Sequence, residues 1–376
     1  MSIIHAMNTD ASPQKKKLLS RIRKRIAAAI LLVALAVVFK ILWGQKPVDV
    51  ETLILSGNTM STSWQVKVVG SDFAEERKRQ LSEIVQAPLK FVNAQMSPYY
   101  EGGDIWRLNA AKAGNAVSVH AEVLSVLKRA IEVSELTGGA FDVTVGPLIR
   151  LWGFHDRTRR TSEPEEKEIA EARALVGYQR LLLDESALTV TKSSEGLDVN
   201  LSAIAKGRAV DMVAEALEAA GESRYMVEVG GEIRCRGRND KGLEWQIGIE
   251  RPASDSDLQR RVVRVLPISG RALATSGDYR SFYMLNGKRY SHTIDPRTGR
   301  PVAHSLASVS VLTKDCTTAD ALATGFTVLG VKDSIAIADR EGVAAYFIER
   351  NSSGQFVTHG SRDFMHVFGD DEKEPQ

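Results

Sequence analysis

The residues that decide the fold class are LASVSVLTKDCTTADALATGFTVL, at positions 306–329. Leu306–Leu312 has the short apolar pattern of a strand, and Thr318–Leu329 has the apolar repeat that is typical of a helix. Directly after this stretch, Val331–Glu341 predicts a second helix and Ala344–Ile348 a further strand. Helices and strands are therefore expected to pack in the same domain.

The rest of the chain continues this mixture. Helical periodicity is strongest in Ala74–Gln95, Ala121–Leu136, Glu165–Val176 and Ile204–Ala220. Further strand-like runs are Glu51–Leu55, Ser63–Val69, Leu181–Asp184, Ala187–Thr191, Tyr225–Val229, Trp245–Ile249 and Arg261–Leu266. Residues 283–290 predict a hairpin with Asn286-Gly287 as a type I′ turn. Strands come in runs and do not alternate strictly with helices, which favours an α+β fold. The globular pattern of residues 51–368 exceeds the usual size of a single core, so two lobes are expected.

Composition excludes several classes of protein. The hydrophobic share of 43% is ordinary for a globular chain, and the net charge of +2 argues against a dedicated nucleic-acid binder. Neither a dinucleotide-binding glycine motif after a strand nor a Walker A loop occurs. Without a Cys-x-x-Cys motif, a zinc or dithiol redox site is excluded. Cys235 and Cys316 are expected to be independent buried thiols, although an oxidising compartment would allow them to pair.

The first fifty residues predict a membrane attachment. Residues 1–25 form a basic tail, residues 26–43 an apolar segment and residues 44–50 a linker. A helix over 26–43 would rise about 27 Å, which is close to the thickness of a bilayer core. The basic residues before it predict a cytoplasmic N-terminus, so residues 51–368 would lie in the periplasm, held by a single pass through the inner membrane. A cleaved signal peptide is the alternative. Residues 369–376 predict an acidic tail.

Asp320 and Thr324 form the first candidate site. They are four residues apart on a predicted helix, so a carboxylate and a hydroxyl point the same way. Oxygen ligands of this kind suit Mg²⁺, which shares its coordination with phosphate oxygens and water. The alternative is helix capping by Thr317 or Thr318, with Asp320 in the first turn compensating the helix dipole.

His292 is the second candidate. It follows the predicted hairpin and precedes the turn signal Asp295-Pro296, which places it on a loop. An imidazole there would act as a general base or bind phosphate. A purely structural histidine is the alternative.

Other segments allow a ligand to approach the backbone closely. Val229-Gly230-Gly231 and Thr275–Asp278 each predict a sharp turn after a strand. Asn200–Gly207 opens a helix, with Asn200 or Ser202 as N-cap and Lys206 as an added positive charge for phosphate. Each segment is equally compatible with a plain turn or a plain helix start.

These blocks, in this order, resemble the FAD:protein FMN transferases, the ApbE-type flavin transferases. The resemblance runs from Gly57 to Phe368. It is carried by Met96–Tyr99, Arg107–Asn109, Gly139–Leu148, Leu151–Phe154, Asn200–Gly207 with Asp211, Val229–Gly231, Ser276-Gly277, Ser291–Pro301, Ala319-Asp320 and Thr324-Gly325.

The resemblance implies a two-lobed α+β domain with FAD in the cleft. It implies Mg²⁺-dependent transfer of the FMN half of FAD to a threonine hydroxyl of a partner protein, with release of AMP. His292 is expected beside the transferred phosphate, and Asp320, Thr324 and the carbonyl of Ala203 are expected to ligate Mg²⁺. The expected FAD contacts are Met60, Tyr99, Ala140, Phe141, Asp142, Asn200, Lys206 and Ile294.

Two features depart from the family pattern. Some relatives have Asp where Asn200 stands, which weakens a charge-dependent role there, and relatives often carry a lipidated cysteine in place of an apolar anchor. The expected acceptor is a respiratory-complex subunit with a Thr-containing flavinylation motif in the same membrane, where anchoring raises the effective concentration. Hydrolysis of FAD to FMN and AMP, or flavin binding without catalysis, are the alternatives.

Overall fold

The computed structural model describes residues 14, 24–31, 50–71, 73–155, 160–252, 262–277, 282–285 and 287–369. The chain divides into two units, Met1–Val50 and Glu51–Gln376. The second unit is not divided further into the two expected lobes, because one large sheet runs through it and is shared by the two larger apolar cores.

In the first unit, helix α1 covers residues 24–31, all of which are exposed. Residues 32–43 of the predicted anchor and nearly all of the predicted tail and linker lie outside the described residues, as do residues 370–376 of the acidic tail. Among the residues that are described, no helix combines the length and the apolar character that a bilayer crossing requires. The anchor and its orientation stay predictions.

An eight-stranded antiparallel sheet is the centre of the second unit. Its strands lie in the order β1-β2-β6-β7-β10-β15-β16-β17, and every neighbouring pair is antiparallel. The bounds are β1 Glu51–Thr59, β2 Thr62–Gly70, β6 Tyr225–Val229, β7 Glu232–Arg236, β10 Arg271–Gly277, β15 Leu306–Thr313, β16 Ala344–Arg350 and β17 Phe356–Gly360.

Helices cover one face of this sheet. Side chains alternate between the two faces of a strand, and Val309 and Val311 of β15 enter the core that the helices build, whereas Leu312 enters the core on the other face. The helical core contains residues of α2 Glu75–Gln95, α3 Asp104–Ala110, α4 Ala121–Leu136, α7 Ala205–Ala219, α8 Cys316–Leu329 and α9 Val331–Glu341. Because both faces are covered, β15 is buried along almost its whole length.

A hairpin and a short helix cover the opposite face. Strands β8 Trp245–Glu250 and β9 Val262–Ile268 pair with each other and contribute Trp245, Ile247 and Leu266 to the second core, with Phe364 from α10 Arg362–Phe368. A three-stranded sheet of β3 Ala116–Ser118, β5 Thr189–Lys192 and β4 Leu181–Asp184 borders the helical layer.

A third, smaller apolar cluster supports the segment around His292. It joins Leu148 and Trp152, Ile169, the paired tyrosines Tyr283 and Tyr290, and Ile294. Trp152 directly follows α5 Gly146–Leu151. The other residues come from α5, α6 Glu166–Ala174, β11 Phe282–Leu285, β12 Lys288–Ser291 and β13 Ile294–Asp295, which pairs with β14 Arg300–Pro301. The single turn η1 Tyr178–Arg180 completes the elements of this region. The predicted hairpin is confirmed, since β11 and β12 pair in antiparallel register.

Three local predictions are wrong. Thr275, Ser276 and Gly277 are the end of β10, paired with β15, and not a turn after a strand. Helix α8 begins at Cys316 with Asp315 as its N-cap, so Asp320 lies beyond the first turn. Helix α7 begins at Ala205 after Ile204, and no side chain caps it; the side chain of Asn200 instead closes a turn on Ser202.

Candidate active site

A cavity of about 690 Å³ lies where the sheet, α7, α8 and the His292 segment meet. Its volume is within the range of sites that enclose a small ligand or cofactor. All of the residues that were predicted to form the site line it: Met60, Tyr99, Ala140, Phe141, Asp142, Asn200, Ala203, Lys206, His292, Ile294, Asp320 and Thr324. They come from positions more than 200 residues apart in the sequence, so the tertiary fold brings them together.

The start of α7 leaves the carbonyl oxygen of Ala203 available. Because α7 begins at Ala205, the N–H of Gly207 belongs to its first turn and has no acceptor within the helix. It donates instead to Oδ2 of Asp320 at 3.0 Å. Ala203 lies in the turn before the helix, and no backbone N–H of a described residue donates to its carbonyl. A Cβ at Gly207 would overlap the carbonyl oxygen of Cys316, so glycine permits the close approach of α7 and α8.

Asp211 holds the first turn of α8. Its buried carboxylate accepts hydrogen bonds from the N–H groups of Cys316 and Thr317, each at 2.8 Å, and from the Thr317 hydroxyl at 2.6 Å. Arg234 adds an ion pair at 2.9 Å. These bonds satisfy N–H groups that a helix start leaves unpaired, and they set the position of Asp320 one turn later.

Asp320 and Thr324 present oxygen atoms to the cavity from one face of α8, while Ala203 lines it from the turn before α7. A carboxylate, a hydroxyl and a carbonyl are donors that suit a hard divalent cation such as Mg²⁺. Within the described part of the chain, no three His, Cys, Asp or Glu side chains cluster as a metal cage. The donor set therefore fits a cation that completes its shell with substrate oxygens and water.

Two carboxylates and one ammonium meet beside these oxygens. The Nζ of Lys206 is 2.8 Å from Oε1 of Glu232 and 3.5 Å from Oδ1 of Asp320. Burial disfavours the charged form of Lys206, but Asp320 and Glu232 together outweigh it and raise the pKa of the ammonium. Burial raises the pKa of the Glu232 carboxyl to about 7, although Lys206 opposes this shift. The group carries one more negative than positive charge when both carboxyls are ionised.

His292 lies on the cavity wall directly after β12. Its side chain is exposed, whereas the residues on either side of it, Ser291 and Thr293, are buried. The carbonyl of Thr293 accepts a hydrogen bond from the N–H of Val302 at 3.0 Å, and Ile294 pairs with Pro301. The backbone around His292 is therefore held in place while the imidazole faces the cavity.

The other predicted contacts differ in how available their polar atoms are. The carboxylate of Asp142 is already occupied, since it accepts from the N–H and hydroxyl of Thr144 and from the N–H of Tyr178. Burial raises the pKa of this carboxyl, against the effect of those hydrogen bonds. Asn200 uses its Oδ1 on Ser202. Tyr99 is 56% exposed at the rim, and Ala140 and Phe141 supply buried apolar surface.

Glu232 is a charged residue of the cavity that the sequence did not predict. It is the first residue of β7 and follows directly after the Val229-Gly230-Gly231 turn, where the prediction ended. The feature of the sequence that could have indicated it is an acidic residue immediately after two glycines. In the structure both glycines have positive φ. Thr275 and Ser276 line the cavity as well, but from the end of a strand and not from a turn.

Comparisons with known proteins agree with this arrangement. The model of the ApbE family matches residues 60–347. An FAD:protein FMN transferase of Haemophilus influenzae is 39% identical over 344 residues, covering 91% of this chain and 97% of that protein. The FAD:protein FMN transferase of Vibrio cholerae is 40% identical over 333 residues, covering 89% and 97%.

Solved structures match over a similar length. The flavin transferase ApbE from Vibrio cholerae superimposes with a TM-score of 0.77 at 38% identity, covering 85% of this chain and all of that one. The apo form of the flavinyl transferase ApbE from Pseudomonas stutzeri gives a TM-score of 0.77 at 35% identity, covering 87% and 99%. Because both the family model and these relatives extend over most of its length, the chain belongs to the ApbE family and is a transferase.

Proposed function

We propose that this protein transfers the FMN half of FAD to a threonine hydroxyl of an acceptor protein, with Mg²⁺ as the cofactor and AMP as the second product. The observation that carries the proposal is the cavity itself, which is lined by a carboxylate, a hydroxyl and a carbonyl together with a lysine and a histidine. The names of the relatives support flavin transfer. The cation, the acceptor residue and the release of AMP are inferred from the chemistry of the cavity and from the family resemblance.

The reaction exchanges a phosphoanhydride bond of FAD for a phosphoester bond to the acceptor. The acceptor oxygen forms a bond to the phosphorus of the FMN half, and the bond from that phosphorus to the bridging oxygen of the pyrophosphate breaks. AMP leaves with the bridging oxygen, and the hydroxyl proton passes to His292. Such proton transfer accelerates a reaction by about 10²–10⁴-fold.

Other residues of the cavity would bind the cation, the phosphates and the flavin. Mg²⁺ supplies charge neutralisation of the pyrophosphate and of the leaving phosphate. Asp320, Thr324 and the Ala203 carbonyl would hold it, and Lys206 would add a positive charge beside the same phosphates. The buried apolar surface of Ala140 and Phe141 would exclude water from the flavin half, which favours transfer to a protein hydroxyl over hydrolysis.

The test uses the full-length protein with FAD, Mg²⁺ and a purified acceptor that carries a Thr-containing flavinylation motif. Covalent flavin fluorescence on the acceptor, with AMP in stoichiometric amount, is the expected result. An acceptor with its target threonine changed to valine is the control and should stay unlabelled. Release of free FMN without labelling would point to a pyrophosphatase, and unchanged FAD to a binding module; either outcome overturns the proposal. Asp320→Ala should abolish labelling.

The membrane attachment is part of the same proposal. An anchor at residues 26–43 would place the cavity in the periplasm, close to acceptor subunits of respiratory complexes in the same inner membrane. Fractionation of cells that produce the protein tests this, with recovery in the membrane pellet as the expected result. A fully soluble mature chain that starts beyond Gly44 would show instead that the segment is a cleaved signal peptide.

A further inference from the structure

Glu232 has an unusual environment for a carboxylate. The residue is 3% exposed and lines the cavity. Its Oε1 binds the ammonium of Lys206, while its Oε2 is buried and has no hydrogen-bond partner among the described residues. Buried polar atoms without a partner are rare and costly in folded proteins, and they concentrate at functional sites.

The backbone at Glu232 is built to bring this carboxylate to Lys206. Gly230 and Gly231 both adopt positive φ, which glycine tolerates and most residues do not. A Cβ at Gly230 would lie 2.9 Å from Cγ2 of Thr62 and 3.3 Å from Cδ of Lys206. The turn is therefore pressed against the lysine side chain, and Glu232 is the next residue along the strand.

The Lys206 ammonium lies at different distances from the two carboxylates. The ammonium forms ion pairs with both carboxylates, a shorter one of 2.8 Å to Oε1 of Glu232 and a longer one of 3.5 Å to Oδ1 of Asp320. Oδ2 of Asp320 already accepts the N–H of Gly207. Oδ1 is thus the oxygen that remains for a cation, and Lys206 is the positive group that would compete for it.

We propose that Glu232 is a positioning residue that keeps the Lys206 ammonium at the longer distance of 3.5 Å from Oδ1 of Asp320, so that a divalent cation can still bind this oxygen. The inference rests on the proposed function, because it takes Asp320 as a ligand of that cation. Without Glu232, the ammonium is free to move closer to Asp320 and shorten their 3.5 Å ion pair, and the cation must then displace a tighter contact. Lys206 would also lose the position in which its charge faces the substrate phosphates.

The test measures the affinity of the full-length protein for Mn²⁺, used as a probe for Mg²⁺, in the absence of FAD. Calorimetry or electron paramagnetic resonance reports the binding. Glu232→Asp keeps the charge but is one methylene shorter, so it cannot hold the ammonium in the same place. We expect this variant to bind Mn²⁺ about tenfold more weakly than the wild type. In a Lys206→Met background, the same substitution should change the Mn²⁺ affinity by less than about twofold, because the competing ammonium is gone.

The matched control is Glu185→Gln, which removes the carboxylate partner of another lysine, Lys128, from an exposed ion pair of 2.7 Å. Its Mn²⁺ affinity should equal that of the wild type. Wild-type affinity in Glu232→Asp would overturn the proposal, as would a loss that persists in the Lys206→Met background, since Glu232 would then be a ligand or a purely structural residue. Should Glu232→Asp fail to fold, Lys206→Met alone decides: it should bind Mn²⁺ at least as tightly as the wild type, and weaker binding overturns the proposal.

Asp320→Ala distinguishes a failure of the proposed metal site from a failure of the role proposed for Glu232. If it binds Mn²⁺ as the wild type does, Asp320 is not a ligand, and both the proposed metal site and the role of Glu232 are overturned. If Asp320→Ala loses Mn²⁺ while Glu232→Asp does not, only the role of Glu232 is overturned and the proposed function stands.

Discussion

The backbone N–H of Gly207 donates to the Oδ2 of Asp320 over 3.0 Å, and this one bond joins the start of α7 to the second turn of α8. It has two consequences for the cavity. It orients the carboxylate of Asp320, and it satisfies an N–H of the first turn of α7 that has no acceptor within the helix. The contact thereby fixes one of the three oxygen donors that the proposed cation would use, close to the turn that carries the Ala203 carbonyl.

Gly207→Ala should destabilise the protein. An exposed helix position normally gains stability when glycine becomes alanine, but a Cβ here would overlap the carbonyl of Cys316. Overpacking of this kind costs about 1–3 kcal/mol. Urea unfolding should show the lower free energy of unfolding, and Mn²⁺ binding should weaken because Asp320 loses its orientation. A gain in stability would show that the two helices do not approach as closely as described.

Asp211→Asn should lower the free energy of unfolding by about 3 kcal/mol, because breaking a buried charged network leaves Arg234 and two helical N–H groups poorly paired. Asp184→Asn is the matched control. Asp184 also accepts from two backbone N–H groups and one hydroxyl, those of Ser186 and Ala187, but it is exposed at the surface. Chemical denaturation of both variants measures the difference. Equal effects would mean that burial of Asp211 contributes nothing.

His292→Ala should slow flavin transfer by about 10²–10⁴-fold, the usual contribution of a general base, while FAD binding changes little. Quenching of flavin fluorescence measures binding, and labelling of the acceptor measures turnover. His304→Ala is a suitable control, since His304 borders a different surface cavity. Loss of FAD binding in His292→Ala would instead make the imidazole a ligand of the substrate.

Both cysteines should resist thiol reagents in the native protein. Cys235 and Cys316 are free and buried, as expected from the sequence, and burial raises the pKa of each thiol above its ordinary value. Because only the thiolate reacts, Ellman's reagent at pH 8 should find no reactive thiol until denaturant is added, and then two. Rapid labelling of the folded protein would contradict this.

Regular elements with strong periodicity could be read from the sequence. Helix α9 at Val331–Glu341 and strand β6 at Tyr225–Val229 have the bounds that were predicted. Strand β10 could not be recognised, because Thr275-Ser276-Gly277 has no strand pattern of its own. It becomes a strand by pairing with β15 on one side and, through its first residues, with β7 on the other.

The N-cap of α8 is a second feature that could not be predicted from the local sequence. Thr317 and Thr318 are good caps by residue type, but Asp315 takes that role, and the hydroxyl of Thr317 binds Asp211 from a different helix. A partner that is 106 residues away in the sequence cannot be inferred from local preference. It depends on the packing of α7 against α8.

The sequence by itself determined the α+β class, the ApbE family and the identity of every residue predicted to line the cavity, because motif spacing and apolar periodicity are properties of the chain alone. Only the tertiary structure decided which atoms of those residues are available. The turn before α7 leaves the carbonyl of Ala203 outside the helix, close packing at Gly207 orients Asp320, and the turn at Gly230-Gly231 brings Glu232 to Lys206. These relationships arise because distant segments compete for the same hydrogen-bond partners, and that competition is resolved only when the elements pack.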